Sequence, residues 1–116
     1  MSDSIDLKDV LERVQGYKEL LLELLDIFQD DFVEKRKALT QALNEKDVQK
    51  IKLLAHSIKG ASGNISAKPI YASCLKMEHM ARDNDINQMD SILKELDQQF
   101  EDLKVNIVKL KKEFGK

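Results

Sequence analysis

The chain has 116 residues, which suits one compact domain spanning residues 1–116. Lys and Arg number 19 against 21 Asp and Glu, a formal net charge of -2, so the basic excess of a nucleic-acid-binding or membrane-surface protein is missing. No apolar run is long enough to span a bilayer, the polar start MSDSIDLKD is not a signal peptide, and the single cysteine, Cys74, excludes an internal disulfide and suits a reducing cytoplasm.

Glycine and proline are scarce while Lys, Glu, Leu and Gln are common, which is helix-forming composition. Asp6 can cap a short first helix, roughly residues 7 to 14, with Leu7, Val10, Leu11 and Val14 on one side and Gly16 as its stop. A long second helix is expected from about Tyr17 to Asn44. Its apolar positions, among them Leu20, Leu21, Leu25, Phe28, Phe32 and Leu39, mostly recur at three- and four-residue steps. Asn44 closes it and Asp47 opens the third helix. GNISAKP then marks a turn, with Ser66 read as the cap of a fourth helix that runs to about Arg82. DND at 83 to 85 is the next break, and a last helix covers about Ile86 to Phe114. Each helix has one apolar stripe and short connections. The expected fold is therefore all-α, an antiparallel up-down four-helix bundle with a short extra N-terminal helix as a lid.

The third helix contains LLAHSIKGASGN, which includes two glycines although each interior glycine weakens a helix by roughly 1 kcal/mol relative to alanine. On a wheel of about 100° per residue, Val48, Ile51, Ala55, Ile58, Ser62 and Ile65 share the core face. His56 falls about 140° from its centre, and Gly60 lies almost opposite the core, one turn beyond the histidine. The glycines strip that surface to backbone, so another protein can approach the imidazole closely. Leu53 points outward one turn before His56. Taken singly these features are bland: most surface histidines are merely solvated, and exposed leucines are ordinary.

AHSIKGASGNISA followed by CLKMEHMAR resembles the histidine-containing phosphotransfer (HPt) domain of two-component phosphorelays. The family pattern is approximately AHxLKGxxxNxGA, followed by a cysteine or similar small residue, a leucine, a glutamate and an arginine. Ala55, His56, Lys59, Gly60, Asn64 and Ala67 match the first block, and Cys74, Glu78 and Arg82 match the second. FQDDF, ALTQAL and EKD resemble the family's second helix and the turn after it. Ser66 departs by standing where the family usually has glycine. Ile58 and Met77 replace commoner leucines, and Gly63 is less typical than alanine.

The resemblance implies a phosphocarrier without ATP-dependent kinase activity. His56 accepts a phosphoryl group from the aspartyl phosphate of a response-regulator receiver domain and passes it to another receiver. Lys59, one turn away, supplies positive charge to the phosphoryl oxygens, and Gly60 leaves space for the group and for the receiver's loops. Gln49, Lys52, Leu53, Gly63 and Asn64 are the candidate docking surface. The chain is expected to need no cofactor or metal of its own, because it has neither a nucleotide loop nor a carboxylate cluster; Mg2+ is expected on the partner receiver. A hybrid histidine kinase is a further candidate partner, and the default state is a monomer. The start MSDS suggests a free-standing protein.

Other residues read as structural. Glu78 and Arg82 stand four apart and suit an exposed ion pair. Cys74 is a small core residue, Met77 and Met80 fill gaps, His79 lies on the surface, and Tyr71 suits core or surface. Adjacent Glu78 and His79 lack the ExxH spacing of a di-iron bundle. A second class of reading remains open at this point: a non-catalytic helical-bundle adaptor in which His56 is incidental. Replacing His56 by glutamine separates the two.

Overall fold

The computed structural model describes residues 4–115. The expectation drawn from the opening MSDS falls mainly on residues 1–3, outside that range. The described residues form five helices and no strand: α1 (Leu7–Arg13), α2 (Lys18–Asn44), α3 (Val48–Asn64), α4 (Lys68–Arg82) and α5 (Met89–Phe114). No described helix is long and apolar enough to cross a membrane.

The apolar stripes meet in one helical bundle. Leu21, Leu25 and Leu39 of α2, Ile51, Ala55 and Ile58 of α3, Ile70, Cys74 and Met77 of α4, and Leu96, Leu103 and Ile107 of α5 are almost fully buried. Each large side chain so buried contributes on the order of 1.5–3 kcal/mol. Phe32 stacks on Phe100 with ring centroids 4.1 Å apart, joining α2 to α5. The same two helices are tied by a two-point contact of Arg36 with Asp97, at 2.7 and 3.0 Å, and by Lys111 with Asp26 at 2.8 Å. The most extensive packing is that of α3 on α4, with α2 and α5 flanking them. Leu20 differs from expectation and is exposed. It stands about 100° from its neighbour Leu21, and only one of the two can occupy the centre of the stripe.

Helix ends were placed less well by sequence than helix interiors. Four reversals share one geometry: Gly16 N–H donates to Leu11 C=O, Asp47 to Ala42, Ala67 to Ser62 and Asp85 to Met80. This is the six-residue closure that requires a left-handed residue just past the helix, a place usually taken by glycine. Here Gln15, Lys46, Ser66 and Asn84 take it, with φ of 54, 55, 55 and 58°. Only asparagine among them advertises that conformation. Lys46 rather than Asn44 therefore turns the chain after α2. The turn at Ile86–Gln88 delays α5 to Met89, three residues later than its apolar pattern suggests.

Ser66 is the clearest correction. It does not cap α4, whose N-cap is Ala67 with no side-chain hydrogen bond. It is the left-handed residue that ends α3, and its buried hydroxyl donates to Asp9 Oδ2 at 2.6 Å. Asp6 N–H donates to Ser66 C=O at 2.9 Å, and Lys68 Nζ lies 2.9 Å from Asp6 Oδ2. Together with the buried Ile5, Val10 and Val14, these bonds clasp the start of the chain onto the α3–α4 turn. Hydrogen bonds from Ser66 and Arg13 hold the Asp9 carboxyl below its ordinary value, and Lys68 and the Asp9 N–H do the same for Asp6. A depressed carboxyl stabilises fully above its unfolded value and loses that contribution as pH falls through the folded one. The clasp therefore weakens only in acid, below the ordinary carboxylate range. Ser66→Ala, which keeps the strained backbone but removes the hydroxyl, is expected to lower the melting temperature by about 5 °C. Ser66→Gly, which loses the same bond but relieves the strain, is expected to lower it less. Thermal melts of the two variants at neutral pH check this.

Candidate functional site

The site lies on the seam between α3 and α4. The α3 face is as expected except at Val48, which is only half-buried: Ile51, Ala55, Ile58, Ser62 and Ile65 are buried, Leu54 is half-buried, and the His56 side chain is 68% exposed. Asp47 caps the helix by accepting from Lys50 N–H. Because the turn at Ile65–Ala67 is tight, residues at equal distances from Ala67 come face to face. His56 and Glu78 are each eleven residues from it, and Gly63 and Tyr71 are each four.

Those pairs are in contact. His56 Nδ1 lies 3.2 Å from Glu78 Oε2, and Lys59 Nζ lies 2.7 Å from Glu78 Oε1. Oε1 is buried, and the Lys59 ammonium is the charge that compensates it. A carboxylate only accepts, so Nδ1 carries a proton and donates to Oε2, and in the neutral ring the free lone pair is then on Nε2. Partial burial disfavours the charged form of Glu78, but the Lys59 ammonium and the hydrogen bond from His56 outweigh it and hold the carboxyl below its ordinary value. The Glu78 carboxylate in turn holds Lys59 above its ordinary value, against a smaller opposing effect of burial. Glu78 is therefore a carboxylate and Lys59 an ammonium at neutral pH.

The other sequence-derived residues fall into two groups. Gly60 is exposed, and a β-carbon there would meet nothing within 4 Å. Gln49, Lys52, Leu53 and Asn64 are also exposed on α3, Leu53 at 68%. Gly63 is not open surface, as had been expected. It is half-buried, and a β-carbon on it would sit 3.5 Å from Cδ2 and Cε2 of Tyr71. An alanine fits there at ordinary contact distance. Cys74 is buried, and burial, reinforced by the charge of Glu78, pushes its thiol up to about 12, so it stays an unreactive core group.

Glu78 is the functional residue that sequence reasoning misassigned. It faces His56 and Lys59, while Arg82, its expected partner, contacts Asp83 at 3.2 Å. The signal was its equal distance from the turn, a register that a helix wheel drawn for one helix does not reveal.

The site is thus an exposed imidazole oriented by a carboxylate, on a helical bundle with no strand among its described residues. A family model for the Hpt domain matches residues 23–106. The chain belongs to the Hpt domain family and has a phosphotransfer role in two-component signalling. The crystal structure of histidine-containing phosphotransfer protein B (HptB) from Pseudomonas aeruginosa PAO1 is similar to it in fold, with a TM-score of 0.89 at 22% identity over 98% of this chain and 99% of that one. No curated protein sequence matches the chain significantly.

The tautomer is measurable. Nitrogen-15 NMR of the His56 ring is expected to find the proton mainly on Nδ1 in the native protein near neutral pH. Glu78→Gln, which replaces the charged acceptor by a neutral amide, should shift the balance towards Nε2–H.

Proposed function

We propose that His56 is the phosphoacceptor of a phosphorelay intermediate, taking a phosphoryl group from the aspartyl phosphate of one receiver domain and passing it to another. The observation that carries this reading is the exposed His56 whose Nδ1 is engaged by Glu78 and whose neighbour Gly60 leaves open space above the helix. The pairing of Arg36 with Asp97 and of Asp26 with Lys111 supports an antiparallel up-down arrangement of α2 to α5, with α1 as the extra short helix.

The step balances as follows. Nε2 attacks phosphorus in line, the acyl phosphate O–P bond breaks, and the donor aspartate leaves as a carboxylate. The ring keeps its Nδ1 proton and becomes positively charged as the N–P bond forms, and the Glu78 carboxylate offsets that charge. Lys59 supplies positive charge to the equatorial oxygens, drawn from its contact with Glu78. Transfer to the second receiver reverses the sequence and restores the neutral ring. Mg2+ belongs on the receiver, whose own carboxylates would hold it. Gln49, Lys52, Leu53 and Asn64 form the docking face around the imidazole, with Gly63 beneath its edge. A hybrid histidine kinase is a further partner, and the carrier works as a cytoplasmic monomer.

The direct test is phosphoryl transfer from a panel of phosphorylated receiver domains to the native chain and to His56→Gln. Acid-labile, base-stable label on the native chain alone is the expected result. Label on both, or label from no receiver onto a folded native chain, contradicts the reading. Gly60→Ala separates function from stability. It should stabilise the folded protein by about 1 kcal/mol in denaturant titrations, because nothing obstructs the new methyl. It should also slow transfer, because the methyl stands where the receiver must approach.

A further inference from the structure

We propose that Tyr71 is a positioning residue for phosphoryl transfer at His56, acting through Lys59; this rests on the reading of His56 given above. Lysine ammonium groups normally extend into water on a flexible stem, yet the Lys59 side chain is only 16% exposed. Two groups hold it. Glu78 Oε1 lies 2.7 Å away, and the Tyr71 ring centroid lies 5.8 Å from Nζ, within the range at which an aromatic face attracts a cation.

Across the seam the ring rests on the α3 backbone. Gly63, one turn beyond Lys59 on α3, presents no side chain, and the ring edge sits where a β-carbon at that position would just touch it. A small residue at position 63 thus lets the ring lie close to α3, beside Lys59. Phosphorylation at Nε2 demands that the ammonium move from the carboxylate towards the new charge without leaving the seam. A charge confined before the reaction stabilises the transition state more than one recruited from solvent. The competing idea is that Tyr71 merely contacts the receiver, in which case its effect would not depend on Lys59.

The test uses potassium phosphoramidate, a small phosphodonor with no docking surface. Its N–P bond breaks, ammonia leaves after taking up a proton from solvent, and a new N–P bond forms at Nε2 of His56. The labelling rate is compared for the native chain, Tyr71→Phe, Tyr71→Leu, Lys59→Met and the double variant Tyr71→Leu/Lys59→Met. Lys59→Met should slow labelling. Tyr71→Phe should stay within about twofold of native, and Tyr71→Leu should be about fivefold slower. In the Lys59→Met background, Tyr71→Leu should have no further effect. Tyr71→Met repeats the comparison if the leucine variant does not fold. A second readout is independent of labelling: the Lys59 ammonium resonance in nitrogen-15 NMR should stand apart from the other lysines in the native and Tyr71→Phe proteins. In Tyr71→Leu, with Glu78 still in contact, it should move part of the way towards them and exchange faster with solvent. Equal slowing with and without Lys59, or a Lys59 resonance unmoved by Tyr71→Leu, overturns the proposal. Failure to label His56 in the native chain contradicts the reading of the site itself, and the Lys59 resonance then decides alone whether Tyr71 holds the lysine.

Discussion

The tight reversal at Ile65–Ala67 is the constraint on which the site depends. It fixes the register of α3 against α4, and that register alone decides which side chains share the seam. A slip by one residue would turn Glu78 about 100° away from His56 and leave the imidazole free to take either tautomer. The reversal in turn depends on Ser66, which holds a left-handed conformation that an L-residue adopts at some energetic cost. Its hydroxyl offsets that strain by binding Asp9, so the short α1 also secures the turn. The N-terminal helix is therefore coupled to the geometry of a site it does not touch.

The contacts across the seam divide the chemical work. Glu78 accepts from Nδ1, which on the proposed reading leaves Nε2 as the reactive nitrogen. Lys59 keeps the carboxylate ionised, and on the proposed reading it is the counter-charge for the phosphoryl oxygens. Gly60 leaves open space above the helix, and Gly63 lies against the edge of Tyr71. The two glycines weaken α3 by roughly 1 kcal/mol each. Burial of Ile51, Ala55 and Ile58 on its other face compensates, since tertiary packing and not propensity supplies most helical stability.

Much of this was legible in the residues. The apolar stripes identify every helix, and the wheel of α3 correctly separates the core face from the exposed His56, Gly60 and Leu53. The ends of helices were harder, because Gln15, Lys46 and Ser66 take a conformation that their side chains do not announce. Contacts between helices were harder still. Glu78 reads as a partner for Arg82 when α4 is considered by itself, and Gly63 reads as bare surface when α3 is. Both assignments change once the two helices are brought together, because a seam is a property of two periodicities and a register. Tyr71 suited core or surface for the same reason: it stands exposed, yet one edge of its ring rests against Gly63 of α3.

The central claim is that Nε2 of His56 carries the phosphoryl group while Nδ1 keeps its proton on Glu78. The most direct measurement is the nitrogen-15 spectrum of the His56 ring in the phosphorylated protein, with coupling to phosphorus-31 recorded at each ring nitrogen. The account predicts phosphorus coupling at Nε2 alone and a protonated Nδ1 whose signal changes in Glu78→Gln. Coupling at Nδ1, or phosphate on any residue other than His56, would contradict it.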